Sequence, residues 1–323
     1  MAEILVLAEH RDGALQEITL QMLAKAADLC DAESHRLVAA VFCGAVGGML
    51  AALEGRADEI MVCEHPRLQD FDLDAYAEVA ASLIRDRRPL LTLLGHTAWS
   101  MDLAPALAIK TGYPLATDCV DLLLEGGVPK VVRQVYSGKM LARLSYRSAD
   151  GYLATVRPGA FAVAAPAGRS AEVVYLPAPS LSPAPRRRFA GYRDASKGPV
   201  DITQADILVS VGRGIGDEEN IEPARELAGL LGGALSCSRP VVDKKWLPKY
   251  HQVGTSGKSV KPKVYLALGI SGAFQHMAGI TAAGTVIAVN KDRKAPIFRG
   301  ADYGVVADAL DIVAALKAGL LKK

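Results

Sequence analysis

The chain is short of the groups on which most catalytic centres are built. It has only five cysteines, Cys30, Cys43, Cys63, Cys119 and Cys237, an odd number with no C-x-x-C spacing. Zinc or iron-sulfur ligation needs clustered thiolates, so these read as buried, reduced side chains in a reducing cytoplasm. Neither sign of charge prevails: 37 basic residues stand against 35 acidic ones, a formal charge of +2. No extended basic face therefore points to nucleic acid or to an anionic membrane. No apolar run reaches the ~20 residues that span a bilayer, which argues against membrane insertion. Ala2 to Ala8 already reads as a strand, which leaves no place for a signal or transit peptide. No nucleophile-base pair and no metal cluster can be picked out.

What is present is a large apolar fraction, 50% of 323 residues, with 22% charged. That suffices for substantial cores and for about two ordinary domains. In the N-terminal half, apolar runs at Ile4 to Ala8, Leu37 to Phe42, Glu59 to Cys63 and Leu90 to Leu94 alternate with helical spacing at Leu15 to Leu29 and Leu73 to Ile84. The alternation predicts βαβ units and a parallel sheet. After Thr117 the rhythm changes. Asp118 to Glu125, Val131 to Tyr136, Leu141 to Ser145, Tyr152 to Val156 and Glu172 to Tyr175 follow one another with no helical pattern between them, and read as antiparallel strands completing the first domain.

Five prolines between 177 and 199, with Arg186-Arg187-Arg188, interrupt the pattern. A proline-rich stretch with few aliphatics builds no core of its own. The expected layout is a first domain over 1–185, a linker over 186–199 and a second domain over 200–323. The arginines are open to two readings, a phosphate site or a solvated linker face or subunit contact. From Asp206 the alternation restarts and closes on an amphipathic helix over Asp308 to Leu321. The fold class is thus α/β, two doubly wound Rossmann-like parallel sheets, the first with added antiparallel strands.

The second domain carries five polar, glycine-punctuated turns, each placed at a predicted strand end: Gly212 to Gly216, Ser238 to Pro240, Gln252 to Lys258, Ser271 to His276, and Asn290. Ligands of open parallel sheets bind outside the carboxyl ends of the strands, so the turns converge on one elongated ligand. The glycines at 212, 214 and 216 do not match G-x-G-x-x-G. Gln252 stands where a P-loop needs glycine, so an ordinary NAD site and a nucleoside-triphosphatase are both disfavoured. Arg213 between glycines suits a ligand approached closely by backbone, or a tight turn with an exposed arginine. Ser271 to His276 sits where free N–H groups and a helix dipole favour negative charge, although a histidine here is also read as structural.

Taken together these residues resemble the alpha subunit of electron-transfer flavoprotein. The likeness is carried by Val211 to Gly216, Ser238-Arg239-Pro240-Val241-Val242-Asp243 with Trp246 and Pro248, Gln252-Val253-Gly254 with Gly257-Lys258, and Gly269 to Ile280. Ala288 to Asp292, Ala295 to Phe298 and Ala301 to Asp308 complete it. It covers nearly all of 205–310, and more loosely Leu5 to His10 and Lys110 to Gly112. The resemblance implies an electron carrier rather than an enzyme: a heterodimer with a beta subunit, FAD held by this chain, and AMP or a second FAD in the partner. Electrons would pass from acyl-CoA-type dehydrogenases to a quinone-linked oxidoreductase. Motif positions place Arg239 beside the flavin ring, Ser256 at N5 and His276 near the N1/O2 edge, where reduction puts negative charge. Arg213, Ser238, Gln252, Val253, Gly254, Thr255, Gly257, Ser271, Gly272, Ala273, Phe274, Gln275, Asn290, Asp308 and Ala309 would hold the rest. Thr255 stands where the family often has glutamine, which leaves the backbone as its contact. Asp308 at a strand end is open to the plainer reading of a helix cap. Two other functions stay open: the alpha subunit of an electron-bifurcating, NADH-oxidising complex, and a nucleotide-binding scaffold without redox chemistry.

Overall fold

The computed structural model describes residues 2–136, 138, 140–181, 189–191, 200–280 and 283–321. Its chain contacts divide it into two compact units, Met1–Gly191 and Tyr192–Lys323. The linker expected over 186–199, including Arg186 to Arg188, lies outside the described residues apart from 189–191.

The first unit runs β1 (Glu3–Leu7), β2 (His10–Arg11), β3 (Ala14–Leu15), α1 (Glu17–Glu33), β4 (Arg36–Cys43), α2 (Met49–Leu53), β5 (Glu59–Glu64), α3 (Leu73–Arg87), β6 (Leu91–Gly95), α4 (Ala98–Thr111), β7 (Leu115–Glu125), β8 (Val128–Val135), β9 (Met140–Ser145), β10 (Tyr152–Val156) and β11 (Glu172–Tyr175). Apart from the β2–β3 hairpin, the strands make one sheet in the order β11-β5-β4-β1-β6-β10-β7-β8-β9. Its two faces separate by the strand period: Ile4 and Val6 join a core with Ile18, Met22 and Ala26 of α1, whereas Leu5 and Leu7 join one with Tyr76 and Ala80 of α3 and Leu103 and Leu107 of α4. Because both faces are covered, the central strands read as continuous apolar runs.

Within this nine-stranded sheet only the β7–β8 and β8–β9 pairs are antiparallel. The antiparallel reading of the last two strands is therefore corrected. Tyr152–Val156 runs parallel between β6 and β7, and Glu172–Tyr175 runs parallel beside β5 at the far edge. Tyr152–Val156 is buried throughout, the mark of a strand covered on both faces, and sequence adjacency gave no hint that it returns to the middle of the sheet. Helix α4 was not anticipated either. Pro105 lies inside it and argues locally against a helix, although Gly112 ends it in the left-handed conformation, a common stop.

The second unit runs β12 (Ile207–Val211), α5 (Ile221–Leu230), β13 (Ala234–Cys237), α6 (Arg239–Asp243), β14 (Val264–Leu268), α7 (Phe274–Met277), β15 (Thr285–Val289), β16 (Tyr303–Val305) and α8 (Ala309–Leu320). All five strands are parallel, in the order β13-β12-β14-β15-β16. Val209 and Val211 pack with Ala224 and Leu227 of α5 and Val313 of α8. The other face is closed by loop residues instead: Leu208, Tyr265 and Ala267 meet Val253, Val260, Ile270, Ile280 and Ile297. The connections that carry the polar turns thus form one wall of the core.

Candidate functional site

The chain leaves β12 to one side, toward β13, and returns on the other side at β14. That reversal opens a crevice at the carboxyl ends of β12 and β14, where open α/β sheets take their ligands. Two glycines narrow it. A Cβ on Gly212 or on Gly214 would collide with backbone atoms of Gly269, and the Gly214 amide donates to the Gly269 carbonyl at 2.9 Å. These glycines serve loop against loop; the close approach inferred from the sequence is to Gly269. Arg213, between them, is exposed and makes no ion pair among the described residues.

Next to the crevice lies a cavity of about 340 Å³, within the usual range for small-molecule sites. Ten of the residues expected from the sequence line it: Ser238, Arg239, Val253, Gly254, Thr255, Ser256, Ser271, Ala273, Gln275 and His276. Pro240, from the expected Ser238 to Pro240 turn, lines it as well, as do Asp243 and Ile270, which were not foreseen; Asp243 was findable as the i+4 neighbour of Arg239. The other expected residues, Arg213, Gln252, Gly257, Gly272, Phe274, Asn290, Asp308 and Ala309, do not line it.

Four of the five turns follow strands directly. Gln252 to Lys258 does not: it is laid against β13 through a bridge between Cys237 and Gln252. It is strapped to the β14 loop by Thr255 N–H donating to the Gln275 carbonyl at 2.8 Å and by Val260 N–H donating to Gly279 at 2.8 Å. The strap engages the Thr255 amide, so the backbone contact expected there is already taken within the protein. Gly254 has φ +132°, and a Cβ there would meet the Gln275 carbonyl oxygen at 2.8 Å. Gly257 closes the turn beneath the Gln252 carbonyl. Gln252 itself is buried, its Nε2 donating to Ser256 Oγ at 2.9 Å. Lys258 pairs with Asp201 at 3.0 Å rather than facing the cavity.

The polar inventory suits an anionic, ring-bearing ligand. No hydrogen bond from the amides of Ser271, Gly272 or Ala273 occurs among the described residues, leaving donors at the turn into α7. Arg239 lies 3.5 Å from Asp243, both side chains largely exposed; such a pair is worth little and releases the guanidinium at small cost. The Asn290 side-chain Nδ2 donates to the Ile270 carbonyl at 2.8 Å. Asp308 caps α8, accepting from Leu310 N–H at 2.8 Å, and pairs with Lys291 at 2.6 Å. Lys291, first, and the cap hold its carboxyl below the usual range. Ala309 is buried in the first turn of α8, and Phe274 opens α7. Asp308→Ala is expected to lower the melting temperature, as for other lost caps, and Asp308→Asn to lower it less; thermal unfolding of both variants measures it.

His276 lines the cavity, as expected. Its ring is buried, with Nε2 2.8 Å from the Tyr265 hydroxyl and Nδ1 3.2 Å from the Val253 carbonyl. Burial lowers its pKa to about 4, which favours the uncharged ring near neutrality. A histidine whose folded pKa lies below its unfolded value binds its proton more readily when unfolded. The second unit should therefore lose stability as pH falls from about 6.5 toward about 4, by up to roughly 3 kcal/mol from this group. His276→Asn should flatten that slope in urea unfolding at pH 7 and pH 5, read from Trp246 in a Trp99→Phe background. Buried His251, also shifted down, contributes a residual slope of the same sign.

Comparison with known proteins agrees with this architecture. Residues 201–281 match the electron transfer flavoprotein FAD-binding domain, and residues 4–181 match the electron transfer flavoprotein domain. The chain is 39% identical over 323 residues to the electron transfer flavoprotein subunit alpha of Methylophilus methylotrophus, covering 99% of each. It is 36% identical over 310 residues to the protein FixB of Clostridium saccharobutylicum, covering 95% of this chain and 93% of that one. It is 34% identical over 342 residues to the acryloyl-CoA reductase electron transfer subunit beta of Anaerotignum propionicum, covering 96% and 93%. With both units matched and the likeness running end to end, the chain belongs to the electron transfer flavoprotein alpha subunit family.

Proposed function

We propose that this chain holds one FAD at the carboxyl edge of its second sheet and, paired with a beta subunit, carries electrons from acyl-CoA-type dehydrogenases to a quinone-linked oxidoreductase. The observation that carries the reading is the coincidence of the cavity beside the β12/β14 switch point with the matched FAD-binding domain. FAD, when bound, supplies an electron-accepting ring. The residues of the chain set its surroundings. Arg239 offers a mobile positive charge to the ring. Ser256 offers a hydroxyl whose oxygen is already occupied by Gln252, which directs its proton outward as a donor. The amides of Ser271 to Ala273 offer donors to the ring edge or phosphates, while Arg213, Asn290 and Asp308 lie along the edge that an extended dinucleotide would follow. Because the cavity is small for a whole dinucleotide, it would hold only part of the cofactor.

Five free, buried cysteines support a reducing compartment, the cytoplasm. No helix of the described chain is long and apolar enough to cross a membrane. The similarity to an electron transfer subunit of a reductase supports a second reading, in which a beta subunit carrying a second FAD oxidises NADH. Stepwise anaerobic reduction of the co-purified heterodimer, with flavin counting, decides. One FAD per heterodimer, not reduced by NADH, is expected. Two, one of them reduced by NADH, would establish the second reading, and no flavin would overturn both in favour of a scaffold without redox chemistry.

A further inference from the structure

The first unit has a cavity of its own, about 460 Å³ against about 340 Å³ at the second sheet, and the flavin reading makes no use of it. It lies where α3 and α4 begin, with Leu73 and Trp99 in its lining. Its floor is aromatic: the rings of Phe71 and Trp99 stack with centroids 5.0 Å apart and 18° between their planes. Tyr76 backs both rings, at 5.3 and 5.4 Å between centroids. Tyr76 is itself buried, its hydroxyl 2.8 Å from the Phe42 carbonyl, so the floor is held from behind. Arg67 pairs with Asp72 at 2.7 Å, while Asp70 and Asp102 give the rim an acidic character. One lining residue comes from the proline-rich stretch that follows the sheet: Phe189, which is 44% exposed, so more than half of it is covered. Leu176 and Leu181 pack on the same core as Phe71 and Trp99. The sequence from 176 to 189 has no other leucine or aromatic residue. A stretch too poor in apolar residues to build a core thus contributes each of these three to the first unit.

We propose that this cavity is a docking seat for the chain's own interdomain connector: Phe189 rests against the Phe71–Trp99 stack and holds the connector to the first unit, which runs as far as Gly191. Two features of the sequence favour this occupant over a separate molecule. Arg186-Arg187-Arg188 immediately precedes Phe189 and is opposite in sign to the rim of Asp70 and Asp102, so charge draws the same segment to the same place. Prolines at 177, 179, 183 and 185 narrow the conformations open to the undocked chain, which lowers the entropy cost of docking. The consequence is a shorter tether. Fully extended, residues 177–199 could span about 80 Å, whereas residues 192–199 span no more than about 28 Å. A seated Phe189 therefore restricts how far the second unit can travel from the first, and does so whether or not that unit carries flavin.

The test is timed trypsin digestion of the co-purified heterodimer, with the cut bonds identified by mass spectrometry. Arg188 abuts the anchor, whereas Lys197 lies beyond it. In the wild type, cleavage after Arg188 is expected to be slower than cleavage after Lys197. Phe189→Ser should speed it by about tenfold, because the protease acts on the released segment and the contact of one half-buried phenylalanine is lost; cleavage after Lys197 should stay as it was. Trp99→Leu removes the aromatic floor and leaves the cut sequence intact, so it must speed the same bond. Should that variant not fold, Asp102→Arg on the exposed rim must do so instead. Cleavage after Arg188 that is as fast as after Lys197 in the wild type would overturn the proposal. So would a bond that stays protected in the variants of the seat, which would assign its protection to the partner subunit.

Discussion

Gly272→Ala is expected to destabilise the second unit by about 3 kcal/mol, the sum of a left-handed backbone penalty and overpacking, and to abolish FAD retention. Gly272 has φ +81°, and a Cβ there would collide with the backbone N and Cα of Ile297. Neither neighbour can turn aside, because the Ile297 amide donates to the Ser271 carbonyl at 3.0 Å. Relief would have to come from the turn that carries Ser271 and Ala273, the residues that line the cavity. Gly229→Ala is the control. It lies in α5 with open space around it, so alanine should stabilise by up to about 1 kcal/mol. Thermal unfolding with flavin counting separates the two, and a Gly272→Ala protein of unchanged stability would show that the turn is freely deformable.

Arg239→Ala should instead leave stability within about 1 kcal/mol, because its partner Asp243 is an exposed i+4 neighbour, and should lower the potential of the bound flavin. A unit charge several ångströms from the site of added electron density contributes on the order of 1–3 kcal/mol at an intermediate effective dielectric. Each 1.4 kcal/mol corresponds to about 59 mV for one electron, so a fall of many tens of millivolts is expected. Arg239→Lys should recover part of it, keeping the charge and losing the planar fork. A potential that stays put in a variant still carrying FAD would place the guanidinium away from the ring.

Much of the fold was legible because it rests on local periodicity. The apolar runs of β1, β4, β5 and β6 and the amphipathic spacing of α1, α3 and α8 are properties of neighbouring residues, and the motifs from Ser238 to His276 place ten of the cavity-lining residues. Misreadings fell where the local signal opposed the outcome or did not exist. Pro105 hid α4. Nothing near Tyr152–Val156 or Glu172–Tyr175 says which strands they join, because partners separated by a long connection are chosen by burial and not by adjacent sequence. Gly212 and Gly214 looked like ligand-approach glycines, yet the backbone they admit is that of Gly269.

By itself, then, the sequence determined the alternation of elements, the family likeness and the set of side chains gathered at one sheet edge. Only the tertiary structure decided what those side chains are free to do. The Thr255 amide is committed to Gln275, Lys258 to Asp201, and Asp308 to its cap and Lys291. Desolvation favours the neutral form of His276, whose ring is held by Tyr265 and Val253. The reason is physical: a residue type fixes which hydrogen bonds and charges are possible, whereas desolvation and the partners brought in by distant segments select which of them exist.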